Sequence, residues 1–130
     1  MKPNARDLIR AFVRVGDTCS EDERFLETTK YWTGGLRLGI GDICVVFQFD
    51  SGKLVSVSET CEEVDEVSDQ FGFDASPEAW GKLLSSTDEA DGPVVSAWAD
   101  DIARTGDRDA YWRYYLAFRR LLELTKEELE

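Results

Sequence analysis

Histidine is absent from this 130-residue chain, so any chemistry it performs has to come from other side chains. Imidazole acid–base catalysis, histidine-dependent triads and histidine-ligated metal sites are excluded together. The densest remaining group is Tyr111, Tyr114 and Tyr115. Their phenols can present hydroxyls to the polar end of a bound molecule, or they can be core rings whose hydroxyls reach the surface. A tyrosine beside a carboxylic acid of raised pKa would support isomerase, cyclase or dehydratase chemistry without a metal. Asp74 and Asp107 are the acids nearest the elements concerned, and both read better as turn or cap residues. No catalytic residue is assigned.

The other constellations are weaker. "ETCEEVDEVSD", Glu59 to Asp69, holds six acids and no base, and reads as a solvated loop or a docking segment for a basic partner. It lacks the spacing and glycine of a calcium loop, so no metal is expected. "TGGLRLGIGD" is glycine-rich without the dinucleotide fingerprint, and it leads into a strand where that fingerprint opens a helix. Phosphate binding is not expected, and no cofactor is assigned. Cys19, Cys44 and Cys61 are odd in number and widely spaced, which favours thiols in a reducing compartment over a disulfide framework. Cys44, inside an apolar run, reads as a small buried hydrophobe.

Composition narrows the classes further. A hydrophobic fraction of 42% marks a globular chain of one-domain size. A net charge of −12 and a pI near 4.4 argue against a nucleic-acid or anionic-membrane partner. No apolar run approaches the roughly 20 residues needed to span a bilayer, so stable membrane insertion is not expected. The start, "MKPNARDLIRAFVRVGD", has no signal-peptide pattern, so the expected location is the cytoplasm.

The elements that must position these residues read as ααββββααα. Asn4 caps a first helix that carries Leu8, Ile9, Phe12, Val13 and Val15 and ends at Gly16. "SEDE", with Ser20 as cap and Glu23 three residues on, starts a second helix through about residue 30. Strands follow: Leu36, Leu38 and Ile40 alternate, and Ile43, Val45, Phe47 and Phe49 form an interior strand. "DSGK" turns into "LVSVSE", and "QFGF" brings Phe71 and Phe73 to one face. Ser76 and Pro77 open a helix containing Trp80, "STDEADGP" is a loop, and "VVSAWADDIAR" reads as a helix containing Trp98. Trp80 and Trp98 are core anchors or cavity walls. Thr105-Gly106 breaks the chain, Asp107 caps a last long helix, and the tail "TKEELE" (125–130) is a frayed or extra helical turn.

That last helix carries more ring surface than one stripe needs. At 100° per residue, Tyr111, Tyr115, Phe118 and Leu122 fall within about 60° of one another, with Tyr114 and Leu121 beside them. Trp112 and Leu116 point about 100° to 140° away from Tyr111, giving an apolar arc of about 220°. Another helix, a second subunit or an apolar ligand would have to cover them. Arg113 and Arg120 should be solvated, and Arg119 lies where it can pair with an acid near Trp112.

"GDICVVFQFDSGKLVSV", "FGFDASPEAWGKLL" and "GDRDAYWRYYLAFRRLLEL" together resemble the sterol-carrier-protein-type-two-like family, in its bacterial stand-alone form, over residues 33 to 124. The shared features are a strand pair joined at an acid–Gly turn, a phenylalanine-rich strand before a capped Trp helix, and Gly-Asp before a leucine-ended helix. The resemblance implies one α+β domain over 1–130, with N-terminal helices in 1–31 and a tail at 125–130. Its sheet would be four- to five-stranded, mainly antiparallel and twisted, with helices on one face. The family's fifth strand falls where "ADDIARTGD" reads mainly helical, so it is either a few residues around Ala103 to Thr105 or missing. By resemblance an apolar molecule would lie between sheet and helices, near Phe47, Phe49, Phe71, Phe73, Trp80, Trp98, Tyr111, Trp112, Tyr115 and Phe118. Burying about 300 Å² of ligand gains roughly 7 kcal/mol before association costs, so micromolar affinity is expected. Three functions stay open: a carrier of a lipid-like, sterol-like or acyl molecule; an accessory subunit that dimerises or docks on a partner through its aromatic helix; and a small histidine-free enzyme.

Overall fold

The computed structural model describes residues 4–59, 70–85, 102–106 and 108–129. The helix that begins behind Asn4, α1, runs Ala5–Cys19; the Asn4 side chain accepts from the Asp7 N–H at 2.8 Å. It passes straight through Gly16, where the sequence suggested an end. The glycine serves packing: a Cβ there would lie 2.6 Å from Val57 Cγ2, so α1 rests directly on the sheet. The second helix, α2, is Glu23–Thr29, and its cap is Asp22, which accepts from the Phe25 N–H at 2.8 Å. Ser20, expected in that role, closes α1 instead and donates to the Gly16 carbonyl at 3.2 Å.

Five strands follow: β1 Gly34–Ile40, β2 Ile43–Asp50, β3 Lys53–Glu59, β4 Phe71–Ala75 and β5 Ile102–Gly106. Their order is β3-β2-β1-β4-β5. β1 and β4 are parallel and the other pairs antiparallel. The fifth strand therefore exists, replacing the end of the helix read over "VVSAWADDIAR"; the remainder of that segment, Trp98 included, lies outside the described residues. β2 is interior, as its two-faced apolar pattern suggested, and β1 takes the middle. The β2–β3 turn has positive φ at both Ser51 (53°) and Gly52 (84°), the two-residue geometry that matches strand twist. Val55, on the bulge opposite Gln48 and Phe49, is an exposed apolar residue of that hairpin, as is Ile43.

Helix α3 covers Pro77–Ser85, with Ser76 Oγ accepting from the Ala79 N–H at 3.2 Å, so this cap was read correctly. The expected last helix is divided into α4, Arg108–Arg113, and α5, Tyr115–Leu129. The division is a bend, since the Tyr114 N–H still reaches the Ala110 carbonyl at 2.9 Å. Of the two readings of the tail, the extra helical turn holds, since α5 continues to Leu129. Leu124 and Thr125 are buried, and the Thr125 hydroxyl donates to the Leu121 carbonyl at 2.8 Å. All these helices meet the sheet face that carries Leu36, Leu38, Phe47, Phe49, Phe71 and Phe73, and that layer is the core. Among the described residues no helix is long and apolar enough to cross a membrane.

Candidate functional site

Strand register builds the floor of the layer between sheet and helices. Leu36 lies opposite Phe47 on one side and Phe71 on the other, and Leu38 lies between Val45 and Phe73. Alternation then sends all four phenylalanines toward the helices, each almost wholly buried.

Trp32 completes the floor, and no sequence pattern announced it. It stacks between Phe49 (ring centroids 4.2 Å, 11°) and Tyr114 (4.4 Å, 9°), and offset against Phe71 at 5.5 Å. The segment carrying it is held by the β2–β3 turn. The Gly52 N–H donates to the Trp32 carbonyl at 2.9 Å, the Ser51 N–H to Thr33 Oγ1 at 3.0 Å, and Thr29 Oγ1 to the Gly52 carbonyl at 3.0 Å. A hairpin turn thus fixes an indole in the middle of the core.

The helices supply the roof. Tyr111 stands edge-on to Phe71 (5.8 Å) and Phe73 (5.6 Å), and Phe118 stacks on Phe73 at 4.6 Å. Trp80 on α3 is fully buried, edge-on to Phe12, and its indole N–H donates to the Gly39 carbonyl at 2.8 Å. It is an anchor between helix and sheet. Phe47, Phe49, Phe71, Phe73, Trp80, Tyr111 and Phe118 therefore belong to one packed core. Tyr115 is half-buried beside Tyr111, at 6.0 Å between ring centroids. Trp112 departs from the set. Its ring touches Tyr111 edge-on at 5.0 Å but is 51% exposed, and Leu116 is 61% exposed. Among the described residues no neighbouring helix buries these two.

The charges lie around this layer. Arg120, expected to be solvated, is 16% exposed and grips both carboxylate oxygens of Asp22, at 3.1 and 2.8 Å; it also reaches Glu123 at 3.0 Å. Arg119 pairs with the same Glu123 at 3.5 Å. The hydrogen bonds from Arg120 hold the Asp22 carboxyl below its usual range. Burial, with help from Asp22, pushes the nearby Cys19 thiol up to about 12. Asp22 is thus both the cap of α2 and the bolt to α5. A shallow groove between α1 and α5 is lined by Asp7, Arg10, Ala11, Arg14, Glu128 and Leu129, and an Arg14–Glu128 pair at 3.2 Å lies in it. It is remote in character from the ring layer.

The opposite sheet face carries a second cluster. Arg37 donates to Asp74 at 3.0 Å and to Cys44 Sγ at 3.2 Å, and a Cβ on Gly39 would collide with the Asp74 carboxylate. Cys44 is buried as expected, but against a guanidinium. Asp74 is placed on this face, away from the tyrosines, so it cannot serve as their carboxylic acid; Asp107 lies outside the described residues. Cys19 and Cys44 are both buried thiols. Among the described residues no three Cys, Asp or Glu side chains converge as a metal site would.

No family model matches the chain, and no curated protein matches it in sequence. Its fold does have solved counterparts. The crystal structure of sterol carrier protein 2 superimposes with a TM-score of 0.68 at 17% identity, covering 92% of this chain and 94% of that one. A Thermus thermophilus protein described as possibly a sterol carrier protein gives 0.67 at 17% identity, over 98% and 90%. UbiJ-SCP2, a ubiquinone synthesis protein, gives 0.56 at 10% identity, over 98% of each. At these identities the likeness is one of architecture, and the architecture is that of sterol carrier protein 2.

Proposed function

We propose that this protein binds an apolar, lipid-like small molecule non-catalytically, between its sheet and its helices. The observation that carries the reading is the continuous aromatic layer there, from Phe49 and Trp32 through Tyr114 and Phe71 to Phe73, Tyr111 and Phe118. Such surfaces suit sterol-like or acyl chains, and the shared fold with sterol carrier protein 2 supports the assignment. The rings are in contact, so a guest would enter by parting them, and α4, a short helix ending at a bend, is the element best suited to move. The experiment is native mass spectrometry of freshly purified protein beside a denatured aliquot. An added mass of a few hundred daltons that vanishes on denaturation is expected; a bare monomer after exposure to a lipid extract would sink the reading.

A second reading rests on Trp112 and Leu116, one turn apart and more than half exposed. In it the protein is an accessory subunit that docks on itself or a partner through this face. A concentration-dependent dimer in solution, lost in Trp112→Ser/Leu116→Ser, would favour it; a monomer at all concentrations would leave only a heterologous partner.

A further inference from the structure

Among the described residues the Tyr115 hydroxyl is one of three buried side-chain polar atoms that packing leaves unexplained, the others being Gln70 Oε1 and the Tyr111 hydroxyl. The Tyr115 hydroxyl is shielded from solvent and has no hydrogen-bond partner, although the ring is only half-buried. Native proteins rarely leave such a group unsatisfied, because it forfeits its hydrogen bonds to water and gains none in return. It sits at the outer edge of the ring layer, one ring removed from Phe71 and Phe73, with Tyr111 between. It also directly follows the bend at Tyr114 that separates α4 from α5.

Among the described residues the charges further along α5 are already matched. Arg119, one turn further along α5, pairs with Glu123; Glu123 pairs with Arg120, and Arg120 with Asp22. Two guanidiniums and two carboxylates in a row offer no net cation to an incoming carboxylate. A phenol, by contrast, donates to a carbonyl and accepts from an alcohol.

We infer that the Tyr115 hydroxyl is the anchor for the polar end of an amphiphile whose head is an uncharged hydroxyl or carbonyl, the apolar remainder lying along Tyr111, Phe71 and Phe73. This rests on the binding reading above and adds the head-group chemistry that the site selects. Tyr115 is then a specificity-determining residue kept at a cost to the empty protein.

The test compares wild type with Tyr115→Phe, using pyrene fluorescence as a probe with no polar group and decan-1-ol and decanoate as competitors. Wild type should take up pyrene and release it to decan-1-ol at lower concentration than to decanoate. Tyr115→Phe should hold pyrene equally well but need about fivefold more decan-1-ol, the value of one neutral hydrogen bond. Without ligand the variant should melt higher, by about 4 °C, because an unsatisfied buried hydroxyl has gone. Pyrene uptake with identical decan-1-ol competition in both proteins would overturn the anchor and leave the binding reading standing. Stronger competition by decanoate would overturn the uncharged head, and a lower melting temperature for the variant would show that the hydroxyl has a partner in the empty protein. No uptake of pyrene or decan-1-ol would remove the anchor and the binding reading together.

Discussion

Replacing Trp32 with alanine probes the layer at its centre. The indole is 1% exposed, between rings at 4.2 and 4.4 Å. A side chain of this type removes about 150–250 Å² from water, worth roughly 4–6 kcal/mol at about 25 cal/mol per Å². Phe49 and Tyr114 are free to lean into part of the space, and truncations of this kind cost about 3–5 kcal/mol, so about 4 kcal/mol is expected. That is a large share of the roughly 5–15 kcal/mol of a domain. Urea titration should show a lower midpoint at nearly unchanged slope, and the melting temperature should fall by about 15 °C. The cavity left would be dry and apolar, so added indole should restore part of the loss in Trp32→Ala and leave wild type unaffected. A cost below about 2 kcal/mol would refute the claim that Trp32 is wedged into the core. A full cost without indole rescue would mean that the cavity persists but is sealed, and that the layer does not readily admit a guest.

Three further outcomes follow from the surrounding contacts. Asp22→Ala loses the cap of α2 and leaves Arg120 without its two-oxygen partner, so a loss of about 2–3 kcal/mol is expected by chemical denaturation. Because the folded carboxyl titrates below its unfolded value, its contribution is complete above about pH 5. It should fade as pH falls through the lower folded value, so the wild-type advantage over Asp22→Asn should shrink in acid; an advantage that grows in acid would contradict the pairing. Gly39→Ala drives a methyl into the Asp74 carboxylate and should cost about 1–3 kcal/mol, whereas unchanged stability would misplace Asp74. With Cys44 and Cys61 replaced by serine, Cys19 should resist thiol reagents at pH 8 until denaturant is added, because its pKa is about 12.

The legible part of this fold was the part written in periodicity. Alternation placed Phe47, Phe49, Phe71 and Phe73 on one face, and the angle count found Trp112 and Leu116 outside the core stripe. β5 was legible only through the resemblance, which left it as a few residues around Ala103 to Thr105 or missing, because an edge strand has one partner to satisfy and here turns a single large apolar residue, Ile102, inward; pairing with β4 overrides the local preference of "ADDIAR". The cap of α2 was misread because Ser20 and Asp22 both qualify locally. The choice is made by Arg120, 98 residues away in sequence. Trp32 escaped for a related reason: a hairpin turn holds it, and no repeat in its own segment reports that. The bend at Tyr114 likewise left no glycine or proline to mark it.

Binding as proposed requires an apolar guest between the sheet and the helices. Titrating decan-1-ol into aromatic ¹³C-labelled protein, and following the ring resonances by NMR, locates the guest directly. Saturable shifts are expected at Trp32, Phe71, Phe73, Tyr111 and Tyr115, with surface Tyr31 unmoved. Shifts confined to Trp112, with the core rings unchanged, would contradict that placement and make the exposed helix face the working surface.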